Sequence, residues 1–188
     1  MGTVKHVVRI WMENHTSSQV IASRAAPYVT SLARHYLMAT HYGDVGSPSL
    51  PNYIGATSGD TWGISDDGAP SAHRLTVDNV FRQVRTAGGT ERSYQEAMPA
   101  SCSLASAGRY AVKHNPAAYY DGADDRGACR RDDVQLPSSL PSPLPTFTFV
   151  TPDLCHDTHD CSVATGDAWL HSFLPTLLTT PEYRERST

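Results

Sequence analysis

Two short runs of apolar and β-branched residues predict strands of a sheet, and a third strand is expected between them. The run at 7–12 stops abruptly at Glu13, as a buried strand does where it reaches its carboxyl end. The run at 146–150 has high β propensity and is ended by Pro152, and a third strand is expected near 92–95. The first and last of these strands are each followed by a helical pattern.

Helical periodicity is clearest over 77–87, where apolar residues recur at i, i+3, i+4 and i+7. Thr76 is the expected cap of this helix, and Gly88 is expected to end it. A second amphipathic helix is expected to be capped by Asp167 and to be kinked or restarted at Pro175. Three shorter helices are expected, at 17–24, from Pro27 onward and up to Thr57.

The alternation of strands and helices indicates an α/β domain with a largely parallel sheet. With 188 residues, the chain has room for one domain, which we expect to span residues 1–188. Residues 98–143 are rich in cysteine, proline, aspartate and serine. We interpret them as a loop-rich insertion that a disulfide holds in place.

Composition excludes several classes of protein. A hydrophobic fraction of 39% and a charged fraction of 18% are too apolar for a disordered chain. The mean hydropathy is -0.38, and no segment approaches the roughly 18 consecutive apolar residues of a membrane span. The formal net charge is -4 and no basic run occurs, so a nucleic-acid partner is not expected. The oligomeric state is left open.

The four cysteines form two local pairs without the CxxC spacing of a zinc or redox site. We interpret them as two disulfides, Cys102–Cys129 and Cys155–Cys161, with unpaired core thiols as the alternative. Disulfides indicate an exported protein. The N-terminus shows no signal peptide, so a mature form without its leader is expected.

The first candidate for chemistry is the pair Glu13 and Asn14, directly after the first strand. Ligands bind at the carboxyl ends of parallel strands, so this carboxylate and amide could bind a hard divalent cation. Two other interpretations stay open. The segment could be a helix-capping turn, and Asn14-His15-Thr16 also matches a glycosylation sequon.

The second candidate is Ser49, which lies between Pro48 and Pro51 and is therefore presented rigidly, as a nucleophile should be. It lacks the GxSxG pattern of an acyl-transfer serine. An ordinary hydroxyl is a poor nucleophile near neutral pH, so Ser49 would need a metal ion to lower its pKa. A plain turn serine is the alternative.

The third candidate is the segment 153–161, which carries five titratable side chains between Asp153 and Asp160 and two cysteines. Lys113, His114 and Asn115 add candidates for anion binding. The alternative is a solvated loop in which histidines and aspartates pair with one another.

Taken together, several segments resemble one family. They are Met12–Thr16, Ser47–Tyr53, Tyr110–Pro116, Phe149–Cys155 and His159–Asp167. They are similar to the bacterial phosphoesterases, the secreted acid phosphatases and phospholipases C of the alkaline-phosphatase-like superfamily. The similarity spans nearly the whole chain in the expected order. It implies a three-layer α/β sandwich with a largely parallel sheet.

The resemblance also implies roles for individual residues. Glu13 and Asn14 match the first metal-ligand pair, and Ser49 matches the nucleophile that bridges to a divalent metal ion, whose identity stays unknown. His114 and His159 match positions that bind phosphate oxygens or protonate the leaving group. Weaker candidates for contacts to the substrate are Lys113, Asn115, Asp157, Asp160 and Asp167.

The resemblance further implies metal-dependent hydrolysis of small phosphate monoesters by a secreted enzyme. The alternatives are a phospholipase C acting on phosphodiesters and a non-catalytic binding module. Two departures affect this expectation. Ser47 stands where the family usually has histidine, and relatives continue past 181–183 into a strand that ends in an acidic metal-binding pair. We therefore expect an amino-terminal portion of the fold, truncated at the carboxyl end, with little activity by itself.

Overall fold

The computed structural model describes residues 4–188 and is built around a four-stranded sheet in which all neighbouring strands are parallel. The order of strands across the sheet is β1, β4, β2, β3. The α/β class and the parallel sheet predicted from the sequence are confirmed. The strands, in chain order, are β1 (Val7–Ile10), β2 (Glu91–Gln95), β3 (Asp133–Gln135) and β4 (Phe147–Thr151).

Helices connect these strands. Two single-turn 3-10 helices, at Val112–His114 and Pro116–Ala118, lie between β2 and β3. The α-helices formed between residues 4 and 188 are α1 (Ser17–Val20), α2 (Pro27–His35), α3 (Leu50–Ser58), α4 (Val80–Thr86), α5 (Asp125–Asp132), α6 (Val163–Leu178) and α7 (Pro181–Arg184).

The sheet has a hydrophobic core on each face, which gives the three-layer sandwich that was expected. Successive side chains of a strand point to opposite faces. Phe149 of β4 therefore packs on one face with Tyr53 of α3 and Phe81 of α4. Val150 packs on the other face with Phe173 and other apolar residues of α6. Helix α2 packs against α6 in the same outer layer.

The cap expected for α4 was wrong by one helical turn. The helix begins at Val80 rather than 77, and the side chain of Asn79, not Thr76, accepts the hydrogen bond from the Arg82 N–H at 3.0 Å. Asn79 has the extended backbone of an N-cap, and its amide oxygen reaches a first-turn N–H that has no partner within the helix.

The role expected for Asp167 as a cap of its own helix was also wrong. Helix α6 begins earlier, at Val163, and is capped by Ser162. The Asp167 carboxylate instead accepts hydrogen bonds from the N–H groups of Tyr28 at 3.1 Å and Val29 at 2.8 Å. Asp167 therefore caps α2 from a distant part of the chain. Helix α6 also continues through Pro175 to Leu178.

The segment 98–143 supplies part of the sheet as well as loops. It contains α5, whose polar sequence lacks the apolar periodicity that predicts a helix, and β3, which pairs with β2. The Cys102–Cys129 disulfide ties the start of this segment to α5, and the second disulfide joins Cys155 to Cys161. Both predicted pairings are confirmed. Among residues 4–188, no helix combines the length and apolar character of a membrane-crossing segment.

Replacing Asp167 with alanine should destabilise the fold, because α2 would lose the carboxylate that binds two of its first-turn N–H groups. Loss of such a cap lowers the free energy of unfolding by about 1–2 kcal/mol. Urea denaturation of Asp167→Ala measures this loss, with Asp44→Ala, at an exposed position, as the matched control. Equal stability of the two variants would contradict the capping role.

Asp133 should make stability depend on pH. Burial raises the pKa of this carboxyl group to about 7, although hydrogen bonds from Asn115 and Ser93 act in the opposite direction. The buried group is neutral at low pH, so its stabilising contribution is present below a pH of about 4 and is lost as the pH rises through about 7.

The variant Asp133→Asn is neutral at every pH and should flatten the fall in stability between these pH values. Burial also raises the pKa of Glu91 to about 7. Glu91 should therefore preserve part of the dependence of stability on pH in this variant. Urea denaturation at several pH values, with Asp44→Asn as the control, measures the slope. An unchanged slope in Asp133→Asn would show that Asp133 is not the titrating group.

Candidate active site

The candidate site is organised around the carboxylate of Glu13, just beyond the carboxyl end of β1. Its side chain is only 7% exposed. Ser49 Oγ donates a short hydrogen bond to Glu13 Oε1, and Tyr53 Oη donates to Oε2 at 2.6 Å. His114 Nε2 lies 3.1 Å from Oε2, without the alignment of a hydrogen bond. The carboxylate thus brings together residues that are far apart in sequence.

Local helix geometry explains why two hydroxyl groups reach the same carboxylate. Ser49 is the N-cap residue of α3 and Tyr53 lies four residues later, so both side chains are on one side of the helix. Asn52 fixes the preceding turn, because its side-chain amide donates to the carbonyls of Gly46 and Pro48. The turn therefore holds Ser49 at the start of α3.

His114 is held between two carboxylates in the interior. Its ring stacks on Tyr53 with 4.9 Å between the ring centroids, and Nδ1 lies 3.0 Å from Asp157 Oδ2. The other oxygen of Asp157 accepts the backbone N–H of His159 at 2.7 Å. Asp157 is fully buried, so in this structure it orients the histidines and is not open to a substrate.

These contacts shift the pKa values of the residues in contact. Burial of Glu13 opposes its ionisation, but His114, through contact and charge, and the hydroxyls of Ser49 and Tyr53 outweigh burial and lower its pKa to about 2. Burial likewise opposes a charge on His114, yet Asp157 and Glu13 raise its pKa. Burial and the charge of Glu13 raise the pKa of Tyr53. Glu13 is therefore ionised at neutral pH.

A cationic group lies beside these residues. Lys113 Nζ is 2.9 Å from Asp67 Oδ2 and 3.4 Å from His159 Nε2. His159 Nδ1 in turn lies 2.6 Å from Asp160, which is exposed. The other oxygen of Asp67 accepts the N–H of Leu50 at 2.9 Å. The sequence did not single out Asp67, because it lies in an irregular polar segment between α3 and α4.

Two of the expected site residues lie apart from this arrangement. Asn115 is fully buried, and its amide donates to Asp133 and to the Tyr110 hydroxyl. Asn14 follows Glu13 but is exposed, with a backbone φ of 68°. Within residues 4–188, no hydrogen bond joins its side chain to Glu13 or Ser49. An exposed asparagine also meets the requirement of the glycosylation sequon, which stays open.

The donor set around Glu13 fits a divalent cation. One carboxylate oxygen of Glu13 and one ring nitrogen each of His114 and His159 lie within 4.8 Å of one another. The hydroxyl of Ser49 contacts the same carboxylate. His114 Nε2 is a buried atom that lacks a hydrogen-bond partner, as a nitrogen available for coordination would be. Carboxylate and imidazole are common ligands of zinc and related metals.

Carboxylate, hydroxyl and imidazole groups at the carboxyl ends of parallel strands are the arrangement of an enzyme site in an α/β fold. Comparison with protein-family models is consistent with this class. The chain belongs to the Phosphoesterase family, whose model matches residues 5–187.

Several curated proteins are similar to the chain. A phosphatidylinositol-3-phosphatase of Mycobacterium tuberculosis is 32% identical over 175 residues, which cover 93% of this chain and 58% of that protein. A phosphate-repressible acid phosphatase of Penicillium chrysogenum is 28% identical, with 91% of this chain and 43% of that protein covered. An acid phosphatase of Aspergillus niger is 28% identical, with 94% and 44% covered. The chain spans about half the length of these relatives.

Removing the Tyr53 hydroxyl should destabilise the protein, because the buried Glu13 carboxylate would lose one of its donors. Hydrogen bonds to charged groups contribute about 1.5–3 kcal/mol. Urea denaturation should show a loss of this size for Tyr53→Phe and almost none for Tyr42→Phe, since Tyr42 is exposed. Similar stability of the two variants would contradict a structural role for the contact between Tyr53 and Glu13.

Proposed function

We propose that the protein hydrolyses phosphate monoesters, with Ser49 as the nucleophile and with a divalent cation held at Glu13. The observation that carries the proposal is the contact between the Ser49 hydroxyl and a buried, ionised carboxylate at the carboxyl end of β1. Membership of the Phosphoesterase family and the phosphatase names of its relatives support the same reaction class.

Glu13 orients Ser49 but is a poor base for it. A carboxylate with a pKa of about 2 has little affinity for the proton of a hydroxyl group. Glu13 and Ser49 would hold a divalent cation, which would lower the pKa of the Ser49 hydroxyl and offset the charge on phosphoryl oxygens. His114 and His159 are the further donors proposed for the cation or for the phosphate.

The proposed reaction has two displacements. Ser49 gives up its proton to water, and its Oγ forms a bond to phosphorus while the bond from phosphorus to the alcohol oxygen breaks. The alcohol leaves with a proton from His159, whose Nδ1 lies 2.6 Å from Asp160. A water molecule then attacks phosphorus and releases inorganic phosphate, and its two protons return to Ser49 Oγ and to His159.

Two further properties belong to the proposal. The two disulfides support an exported protein, since such bonds persist in oxidising compartments. The chain covers about half the length of its curated relatives, so the activity in their names is carried over here only as part of the proposal. Hydrolysis should therefore be measured on the 188-residue chain itself.

The nucleophile is tested by hydrolysis of p-nitrophenyl phosphate with added Mg²⁺, Mn²⁺, Zn²⁺ or Ca²⁺. In the most active form of the protein, Ser49→Ala should lower kcat at least about 100-fold, because the covalent step is lost. Ser47→Ala, two residues away and exposed, is the matched control and should retain activity. Near-normal turnover by Ser49→Ala would exclude Ser49 as the nucleophile, and hydrolysis unaffected by EDTA would exclude the cation.

A lipid phosphate monoester is a second candidate substrate. One relative is named a phosphatidylinositol-3-phosphatase. In this chain the segment that leads to Ser49 exposes apolar and aromatic side chains to solvent, those of Tyr36, Leu37, Met38, Tyr42 and Val45. Vesicles that contain phosphatidylinositol 3-phosphate, compared with a soluble monoester and with a phosphocholine diester, separate the lipid phosphatase, general phosphatase and phospholipase C interpretations.

A further inference from the structure

Two hydrogen-bond donors of the candidate site, the backbone N–H of Leu50 and Nζ of Lys113, are already bound to an anion of the protein itself. Leu50, the residue after Ser49, donates its N–H to Asp67 Oδ1, and Lys113 Nζ donates to Asp67 Oδ2, both at 2.9 Å. One carboxylate thus bridges the start of α3 and the only lysine near the site within the described residues. This is the pair of contacts that a phosphoryl group would make through two of its oxygens.

The surroundings favour an anion at this position. Helix α3 has nine residues, and the Ser49 side chain does not cap it. Its first N–H, that of Leu50, therefore takes its acceptor from outside the helix. A second and independent feature is the ring of His114. His114 Nε2 is buried, lacks a hydrogen-bond partner and lies beside the carboxylate that binds Ser49 Oγ.

We propose that the Leu50 N–H and Lys113 Nζ form a subsite for phosphoryl oxygens, and that Asp67 is an internal anion which fills this subsite until phosphate displaces it. The inference rests on the proposed function, because it assigns the phosphate-binding part of the same site. It adds a residue, Asp67, that opposes phosphate binding.

Asp67 is able to leave the subsite. Its side chain is 27% exposed, and the residue lies in an irregular segment rather than in a helix or strand. Displacement of Asp67 breaks its hydrogen bonds with the Leu50 N–H and with Lys113. A phosphate dianion accepts from both donors in its place and carries more negative charge than the carboxylate. A subsite that is open in about one molecule in ten binds its ligand about tenfold more weakly than one that is always open.

A purely structural role for Asp67 predicts the opposite result. If Asp67 only held Lys113 in place, its loss would weaken phosphate binding. If Asp67 competes with phosphate, its loss strengthens binding. Asp67→Asn separates these cases, since asparagine keeps the shape of the side chain and one acceptor for the Leu50 N–H, but it has no charge to hold Lys113.

The test is a titration of the chain with inorganic phosphate at constant ionic strength, followed by the amide NMR signal of Leu50 and by calorimetry. Asp67→Asn should lower the Kd for phosphate by about 3–10-fold. Asp67→Ala is the second variant, in case asparagine perturbs folding. Asp66→Asn, at an exposed neighbouring carboxylate, is the matched control and should leave the Kd unchanged. Lys113→Met should weaken binding.

An unchanged or raised Kd in both Asp67 variants would overturn the inference, as would the absence of phosphate binding in every form. These outcomes are distinct from failure of the proposed function. Tighter phosphate binding by Asp67→Asn without any ester hydrolysis would reject the enzyme but keep the subsite. Hydrolysis that depends on Ser49, combined with no gain in phosphate affinity, would keep the enzyme and reject the role of Asp67.

Discussion

The buried carboxylate of Glu13 is the point on which the organisation of the site depends. Its side chain accepts hydrogen bonds from Ser49 and Tyr53 of α3 and lies against His114. Its backbone is bound as well, since the Glu13 N–H donates to the Asp157 carbonyl and the Thr158 hydroxyl donates to the Glu13 carbonyl. A buried negative charge is tolerated only with such partners. The charge therefore requires β1, α3, the 3-10 helix at Val112–His114 and the loop after β4 to meet at one place.

The same physical requirement recurs at the starts of two helices. The first N–H groups of α2 and α3 have no partners within their own helices, and each helix obtains a carboxylate from a distant part of the chain. Asp167 of α6 serves α2, and Asp67 serves α3. Asp167 is nine-tenths buried and fixes the packing of two helices. Asp67 is partly exposed and also binds Lys113. A ligand from solvent can therefore replace Asp67 more easily than Asp167.

Prediction from the sequence succeeded where the signal is local. The strands β1 and β4 were predicted from their apolar and β-branched residues, and a strand was also expected near β2. The two disulfides were predicted from the pairing of neighbouring cysteines along the chain. Prediction failed for elements made of polar residues and for residues whose role depends on contacts with distant parts of the chain. Helix α5 and strand β3 were missed because the sequence of α5 is almost entirely charged and small, and because β3 has only three residues. Within the site, the Ser47–Tyr53 segment was recognised, but the contact of Tyr53 with Glu13 was not, because it depends on the tertiary fold. Asp67 was missed because it belongs to no motif.

The sequence by itself determined the class of fold and supplied the candidate reactive groups. Hydrophobic periodicity sets which faces of each element are buried, and residue type sets the chemistry that a side chain can perform. Only the tertiary structure decided which groups meet. In the tertiary structure Ser49 contacts Glu13, and Asn115 lies in the interior. Asp167, expected to cap its own helix, caps α2 instead. These pairings follow from the need of every buried polar group for a partner. That partner is chosen by distance in space, which residue spacing along the chain does not encode.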